Sequence, residues 1–537
     1  MAQGTTLQVA SQPLTLKQAV GQKLMLTFRG KRRLPNGLRE LLAEAQPAGF
    51  VLFKALNVES PEQVRKLTIE LQEAGRQAGL PHFLIATDQE MGQLMAIDNG
   101  TTPFPGSMAL GAAESEDLAY RVGYATGCEL SAMGVNMNFA PVCDVNSNPR
   151  NPVVGTRSFG DNPGRVAALA AAQVCGLQAA GIAATAKHFP GHGDVAQDSH
   201  YGVPILAHDL AQIEQQGLPP FQAAIEAGVR LVLTAHLAVP ALDGFSDRPA
   251  TFSPVVLRDL LRGRLGFEGV TISDAMDMGA VRQGDGLAVD VLAAASAGMD
   301  LLLLNLSRSQ QNKAQTALLQ AYSRRLLDEQ EAFASAGRVL ALKHWLAEQP
   351  QHSFEVVGCR QHQELALEAA RRALTLVHNH NDFLPLHLSD RDRLVVVVPR
   401  PQNLTPADTS SSVRVALASE LRKFHTQVEE YVVSIDPSRA EIAALWERVH
   451  GCAALVIGSM NALQFPNQQE LIKTLLQTGI PTVVAALRLP YDAALFPAAS
   501  ATVCTYSILD CSMQALAEAL FGFAPWPGRL PVNVSDI

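Results

Sequence analysis

Eight short apolar runs, each followed by a longer stretch with helical patterning, fill the first 305 residues, and nothing else in the sequence narrows the fold as far. The runs are 23–28, 49–54, 82–88, 137–145, 182–188, 231–236, 269–274 and 299–305. Helical patterning falls at 61–78, 116–133, 163–180 and 254–265, among others. Strands that alternate with helices pair in parallel through right-handed crossovers. Eight such units predict an α/β chain with an N-terminal (β/α)8 TIM barrel. The runs are continuously apolar rather than alternating, as expected of strands covered on both faces. Asp88, Lys187, His188, His236 and Asp274 stand at their C-terminal ends. In a barrel those ends converge on one mouth, so residues nearly two hundred positions apart would share a pocket.

At 537 residues the chain exceeds one ordinary core, which predicts a second domain. Residues 310–348 read as one or two helices that finish the barrel, giving a first domain of 1–348. Pro350 and Gly358 break the pattern and place a linker at 349–363. In 364–537, strands are expected at 393–399, 428–435, 453–457, 481–486 and 502–507. Helices are expected at 363–375, 415–424, 440–449, 468–477 and 513–521. That alternation predicts a C-terminal three-layer α/β/α sandwich. For the closing PWPGRLPVNV we expect a covering or packing role.

The densest chemistry lies in 187–204, KHFPGHGDVAQDSHYGVP. His188 and His192 have the four-residue spacing of two metal ligands on a helix, but Pro190, Gly191 and Gly193 remove the helix, so no metal is assigned. Asp198 lies two residues before His200. In extended backbone such side chains point the same way, and a carboxylate there would orient the imidazole and favour its charged form. An ordinary hydrogen-bonded loop is the alternative, and the number of ionisable groups weighs against it.

The formal charge of −9 argues against a nucleic-acid partner. Hydrophobic residues make up 47% and charged residues 17%, as in a soluble globular enzyme. The seven cysteines are scattered and mostly set in apolar segments, which suits reduced thiols. The N-terminal residues lack a basic start and an apolar h-region, and no apolar run is long enough to span a membrane, so a cytoplasmic location is expected.

KHFPGHG, a short spacer and DSH together resemble the signature of β-N-acetylglucosaminidases of glycoside hydrolase family 3, in its two-domain type. The resemblance implies a retaining β-N-acetylhexosaminidase without a cofactor. Its substrate would be a small amino-sugar glycoside, such as a cell-wall fragment met in cell-wall recycling. It implies that Asp198 and His200 form the acid/base dyad, with Lys187 and His188 on sugar hydroxyls. LGFEGVTISDAM is similar to the family's nucleophile segment and puts the nucleophile on Asp274; without the resemblance, the reading of Ser273 and Asp274 as helix-capping residues prevails. Asp88 in DQEMGQLMA matches the aspartate that grips the terminal sugar. That segment departs from the family at Met91, Gln93 and Ala96, where glycine and two arginines are usual. Neither Gln nor Ala replaces the planar fork of an arginine. Arg157, in VGTRSFG, matches a sugar-binding arginine, with an ion pair to Asp161 or Asp144 as the alternative. Asp144 is expected to order loops, His192 to serve loop structure, and His236 to line or back the site.

Three other functions stay open at this stage. They are a different exo-β-glycosidase of the family, an N-acetylglucosaminide phosphorylase, and a sugar-binding protein that keeps the barrel. A histidine base repels phosphate less than a carboxylate would, which keeps the phosphorylase in view. The sequence carries no sign of oligomeric state.

Overall fold

The computed structural model describes residues 14–281, 286–305 and 307–535. Eight parallel strands form the first sheet: β1 (Leu24–Leu26), β2 (Gly49–Val51), β3 (Leu84–Thr87), β4 (Met137–Asn138), β5 (Ala183–Phe189), β6 (Leu231–Thr234), β7 (Val270–Ser273) and β8 (Leu302–Leu304). They pair in the order β8-β1-β2-β3-β4-β5-β6-β7. Two hydrogen bonds close the ring between its ends: Leu301 N–H donates to Thr271 at 2.9 Å, and Ser273 N–H to Leu301 at 3.0 Å. All eight expected runs therefore contain barrel strands. The strands are shorter than the runs because the runs continue into the loops of the mouth. β4 stops after two residues, since Pro141 has no N–H for the ladder.

Alternation inside the short strands builds the two cores. Met25, Val51, Leu84, Ala86, Leu231, Leu233, Ile272 and Leu303 fill the barrel interior, while Leu24, Leu26, Phe50, Ile85 and Val232 pack outward against the helices. The helix Glu329–Ala347 brings Val339, Leu342 and Trp345 into the interior cluster and plugs the N-terminal end. Only the C-terminal end remains for a site. The π-helix Val255–Arg264 stands where the sequence predicts an α-helix over 254–265.

The second sheet has six strands: β9 (Thr375–Asn379), β10 (Leu394–Pro399), β11 (Val428–Val433), β12 (Ala454–Ser459), β13 (Thr482–Ala486) and β14 (Ala501–Cys504). Their order is β9-β14-β13-β12-β10-β11, parallel except for the antiparallel β9. Val395 and Val397 face Leu445, Leu471 and Leu475 on one side; Val396 and Val398 face Leu417, Leu421 and Leu516 on the other. Helices thus cover both faces, and the chain is an α/β barrel followed by an α/β/α sandwich. β9 is the strand that sequence patterning misses: the helix expected over 363–375 runs from Arg360 to Ala373, and Thr375 already belongs to the edge strand. In the stretch read as a linker, Phe354–Val356 form a 3-10 turn, and the Gly358 N–H donates to Glu129 at 3.1 Å.

The last residues return to the barrel. Arg529 N–H reaches Ala112, Asp161 N–H reaches Pro531 at 3.1 Å, and Asn533 N–H reaches the Asp161 carboxylate at 2.6 Å. Gly160 sits so close to this tail that a Cβ would lie 2.3 Å from the Pro531 carbonyl oxygen. The tail therefore packs, as the sequence leads one to expect.

Candidate active site

A cavity of about 1700 Å³ opens at the C-terminal ends of the barrel strands. Asp88, Arg157, Lys187, His188, His200 and Asp274 all line it. Asp198 stands behind His200 rather than on the wall.

Asp274 directly follows β7. One of its carboxylate oxygens accepts the Ala275 N–H at 2.7 Å. The residues that follow form turns, so the helix-capping alternative for Ser273 and Asp274 does not hold. Desolvation would raise this carboxyl, but nearby His236 and His188, the Ala275 N–H and His200 outweigh it, and the group sits below the ordinary carboxylate range. His236 is fully buried behind it, with Nδ1 2.7 Å from Thr251 Oγ1 and Nε2 3.2 Å from the Ala275 carbonyl oxygen. Burial lowers the His236 pKa, against the pull of the Asp274 carboxylate.

His200 Nδ1 lies 2.6 Å from Asp198 Oδ1, and the same oxygen accepts the His200 N–H at 2.9 Å. A turn brings the two together: the Asp198 carbonyl accepts the Tyr201 N–H at 3.1 Å. The extended backbone expected from the spacing is not what the chain adopts, although the pairing is the same. Desolvation would raise the Asp198 carboxyl; its bonds to the His200 ring and backbone N–H prevail and hold it low. The loop is also tied to the chain beyond Asp274, because Gly279 and Ala280 donate to the carbonyls of His200 and Ser199 at 3.1 and 3.2 Å.

Across the mouth, Glu90 holds a buried ion network. Arg157 makes a two-pronged contact with it, Nε at 2.7 Å and Nη2 at 2.8 Å. Lys187 also pairs with Glu90, and with Asp88 Oδ1 at 2.7 Å. Desolvation opposes the charge on Glu90, but Arg157 and Lys187 overcome it and bring its pKa down to about 2. Arg157 thus has an ion partner, yet neither Asp161 nor Asp144 is that partner. Asp144 serves His188 instead: its two oxygens take the His188 ring Nδ1 at 2.6 Å and the backbone N–H groups of His188 and His192 at 3.1 and 2.7 Å. Burial lowers His192 to about 4, leaving it neutral, with Nε2 3.2 Å from Ser199 Oγ. Among the described residues no group of three or more His, Cys, Asp and Glu side chains is arranged to hold a metal ion.

Three contributions to the site escape the sequence reading. Glu90 is matched there as a letter in a motif without a role. Lys54 and Asp98 pair at the rim. The segment 403–412 of the second domain, including Asn403, Asp408, Thr409 and Ser412, forms part of the wall. A charged residue ending an apolar run signals the first two. Nothing local signals the third, because it depends on how the two sheets are set together.

A carboxylate and a carboxylate-oriented imidazole face one cavity at the carboxyl end of a barrel, where barrel enzymes hold their active sites; the imidazole stands where most glycoside hydrolases have a second carboxylate. Comparison with known proteins agrees. The Glycosyl hydrolase family 3 N terminal domain matches residues 15–342. Beta-hexosaminidase A of Pseudoalteromonas piscicida is 33% identical over an alignment of 606 positions, covering 99% of each chain. A Beta-hexosaminidase of Chromobacterium violaceum is 40% identical over 277 residues, which are 50% of this chain and 75% of that one. The solved family 3 β-N-acetylglucosaminidase of Paenibacillus sp. str. FPU-7 superposes with a TM-score of 0.91 at 35% identity, covering 97% of this chain and 99% of that one. The chain belongs to glycoside hydrolase family 3 and is an enzyme of that family.

Proposed function

We propose that the protein is a retaining exo-acting β-N-acetylhexosaminidase that removes terminal β-linked N-acetylglucosamine from short glycosides. The observation that carries this reading is the placement of Asp274 and His200 on one cavity, with Asp198 fixing the imidazole from behind. The Asp274 carboxylate attacks the anomeric carbon and forms a covalent glycosyl-enzyme. The bond to the leaving oxygen breaks as that oxygen takes the proton of His200. Neutral His200 then accepts a proton from water, water attacks the anomeric carbon, Asp274 leaves, and the sugar departs with β configuration retained. Asp88, Lys187, Arg157 and His188 hold the sugar, and Asp144 keeps His188 turned toward it. The cavity exceeds the roughly 300–1,000 Å³ of an ordinary ligand site. It has room for a leaving group larger than one sugar, which supports cell-wall fragments as substrates. We place the work of the enzyme in the cytoplasm, on the reading of its scattered cysteines as reduced thiols. Among the described residues no helix is long and apolar enough to cross a membrane.

The test uses an N-acetylglucosaminide with a poor leaving group. Asp274→Ala should lose on the order of 10⁴-fold or more in kcat. His200→Ala should lose about 10²–10⁴-fold, and less on an activated 4-nitrophenyl glycoside that needs little proton donation. Wild-type-like turnover by either variant would remove the role given to it. Equal rates on glycosides without the 2-acetamido group would favour another exo-β-glycosidase. Formation of sugar 1-phosphate in phosphate buffer would make the enzyme a phosphorylase.

A further inference from the structure

The loop that carries Asp198 and His200 is held from two sides, and the segment behind Asp274 is only one of them. The other is His192. Its backbone is gripped at both ends, since the N–H donates to Asp144 at 2.7 Å and the carbonyl accepts from Asn151 Nδ2 at 2.8 Å. Asp144 and Asn151 are themselves buried. Gly193, next in the chain, lies so close to the loop after β4 that an added Cβ would stand 1.7 Å from the Val145 carbonyl oxygen. His192 is therefore a fixed post on the barrel.

The ring of this post makes one hydrogen bond, from Nε2 to Ser199 Oγ at 3.2 Å. Ser199 stands between Asp198 and His200, inside the turn that pairs them. Among the described residues, no other side-chain hydrogen bond ties 195–203 to the rest of the barrel. Packing does not account for the ring. Its Nδ1 is buried with no partner among the described residues, which destabilises, and a phenyl ring would fill the space without that cost. Both His192 and Ser199 lie on the cavity wall, so the bond closes at the site itself.

The same post stands beside the sugar site. One Asp144 oxygen accepts the N–H groups of both His188 and His192, and the two imidazoles meet edge to face with centres 6.1 Å apart. A single buried carboxylate thus sets the ring that holds the sugar and the ring that holds the loop. Resting on the function proposed above, we infer that His192 is a positioning residue for the proton donor. Through Ser199 it seats the Asp198–His200 turn against the sugar held at His188. It touches neither the sugar nor the leaving oxygen.

Full-length Ser199→Ala removes the bond with the least change of shape, and His192→Phe removes it from the other side. His192→Gln is the conservative variant, because its amide can still bond Ser199. On aryl β-N-acetylglucosaminides with poor leaving groups, kcat/KM of the first two should fall by about ten- to a hundredfold. On the activated 4-nitrophenyl glycoside, whose bond breaks with little proton donation, it should stay within about twofold. The inhibition constant for free N-acetylglucosamine should stay within about twofold as well. The double variant should lose no more than the worse single one, since both break one bond. His192→Gln should recover most of the loss seen in His192→Phe. Wild-type kcat/KM on poor leaving groups in folded Ser199→Ala overturns the proposal, and that variant decides alone if His192→Phe does not fold. Losses equal across leaving groups, or additive in the double variant, overturn it too. A raised inhibition constant overturns it by making the ring a sugar contact. Failure of the wild type to cleave these glycosides, or full activity of His200→Ala, would instead sink the proposed function.

Discussion

Glu90 is the carboxylate on which two buried cations depend, with side-chain exposures of 1% for Glu90, 4% for Arg157 and 2% for Lys187. Removing one partner of such a set leaves charge stranded away from water, at a typical cost of about 3–5 kcal/mol. Glu90→Gln should therefore lower unfolding stability by about 3 kcal/mol in urea titration and raise KM; a variant as stable as the wild type would show that solvent, not Glu90, compensates the cations. At this scale the sequence is informative where motif and chemistry coincide. Asp88, Lys187, His188, His200 and Asp274 reach the cavity because each ends a barrel run or follows one closely. Partners are less legible. Arg157 finds Glu90, 67 positions away, in preference to Asp161 or Asp144, because only the folded ring sets the loop after β4 beside the end of β3. Met91 marks the same limit: it holds φ +72, a conformation natural to glycine, at a place where the family resemblance expects glycine.

Elements were easier to foresee than their edges. Buried parallel strands need unbroken apolar runs, so all eight barrel strands and five of the six sandwich strands announce themselves. β9 does not, because four of its five residues are only partly buried and it continues from a good helix former, Ala373. Loop conformation is less legible still. The pairing of Asp198 with His200 comes from a turn, and the loop is anchored by Gly279, where an added Cβ would stand 2.6 Å from the His200 carbonyl oxygen. Gly279→Ala must push that backbone away. Misplacing a reacting group by about 1 Å can cost about 10²-fold, so kcat on a poor leaving group should fall by about that factor while melting stays near normal. Unaltered kcat would mean that the loop moves independently of the segment behind Asp274.

For the whole molecule, one end of the barrel is sealed and the other is shared. The seal carries its own pH dependence. Burial lowers Lys343 from 10.5 to about 7, with Nζ donating to Gln22 at 2.8 Å. Between those values the unfolded chain holds a proton that the folded chain has released, so stability rises with pH across that window and is insensitive to this group below about 7. Unfolding free energies of the wild type minus those of Lys343→Met should climb from pH 7 to 10 by up to about 1.4 kcal/mol per pH unit; a flat difference would mean that Lys343 stays charged when folded. The shared end has a consequence in time. Asn146, on the loop after β4, donates to the Tyr491 hydroxyl 345 residues later, and Asp161 accepts from Asn533 across 372 residues. During synthesis at about 5–20 residues per second, this corner of the mouth waits on the order of tens of seconds for its last supports to leave the ribosome. A nascent barrel therefore has its ring of strands well before it has a finished mouth.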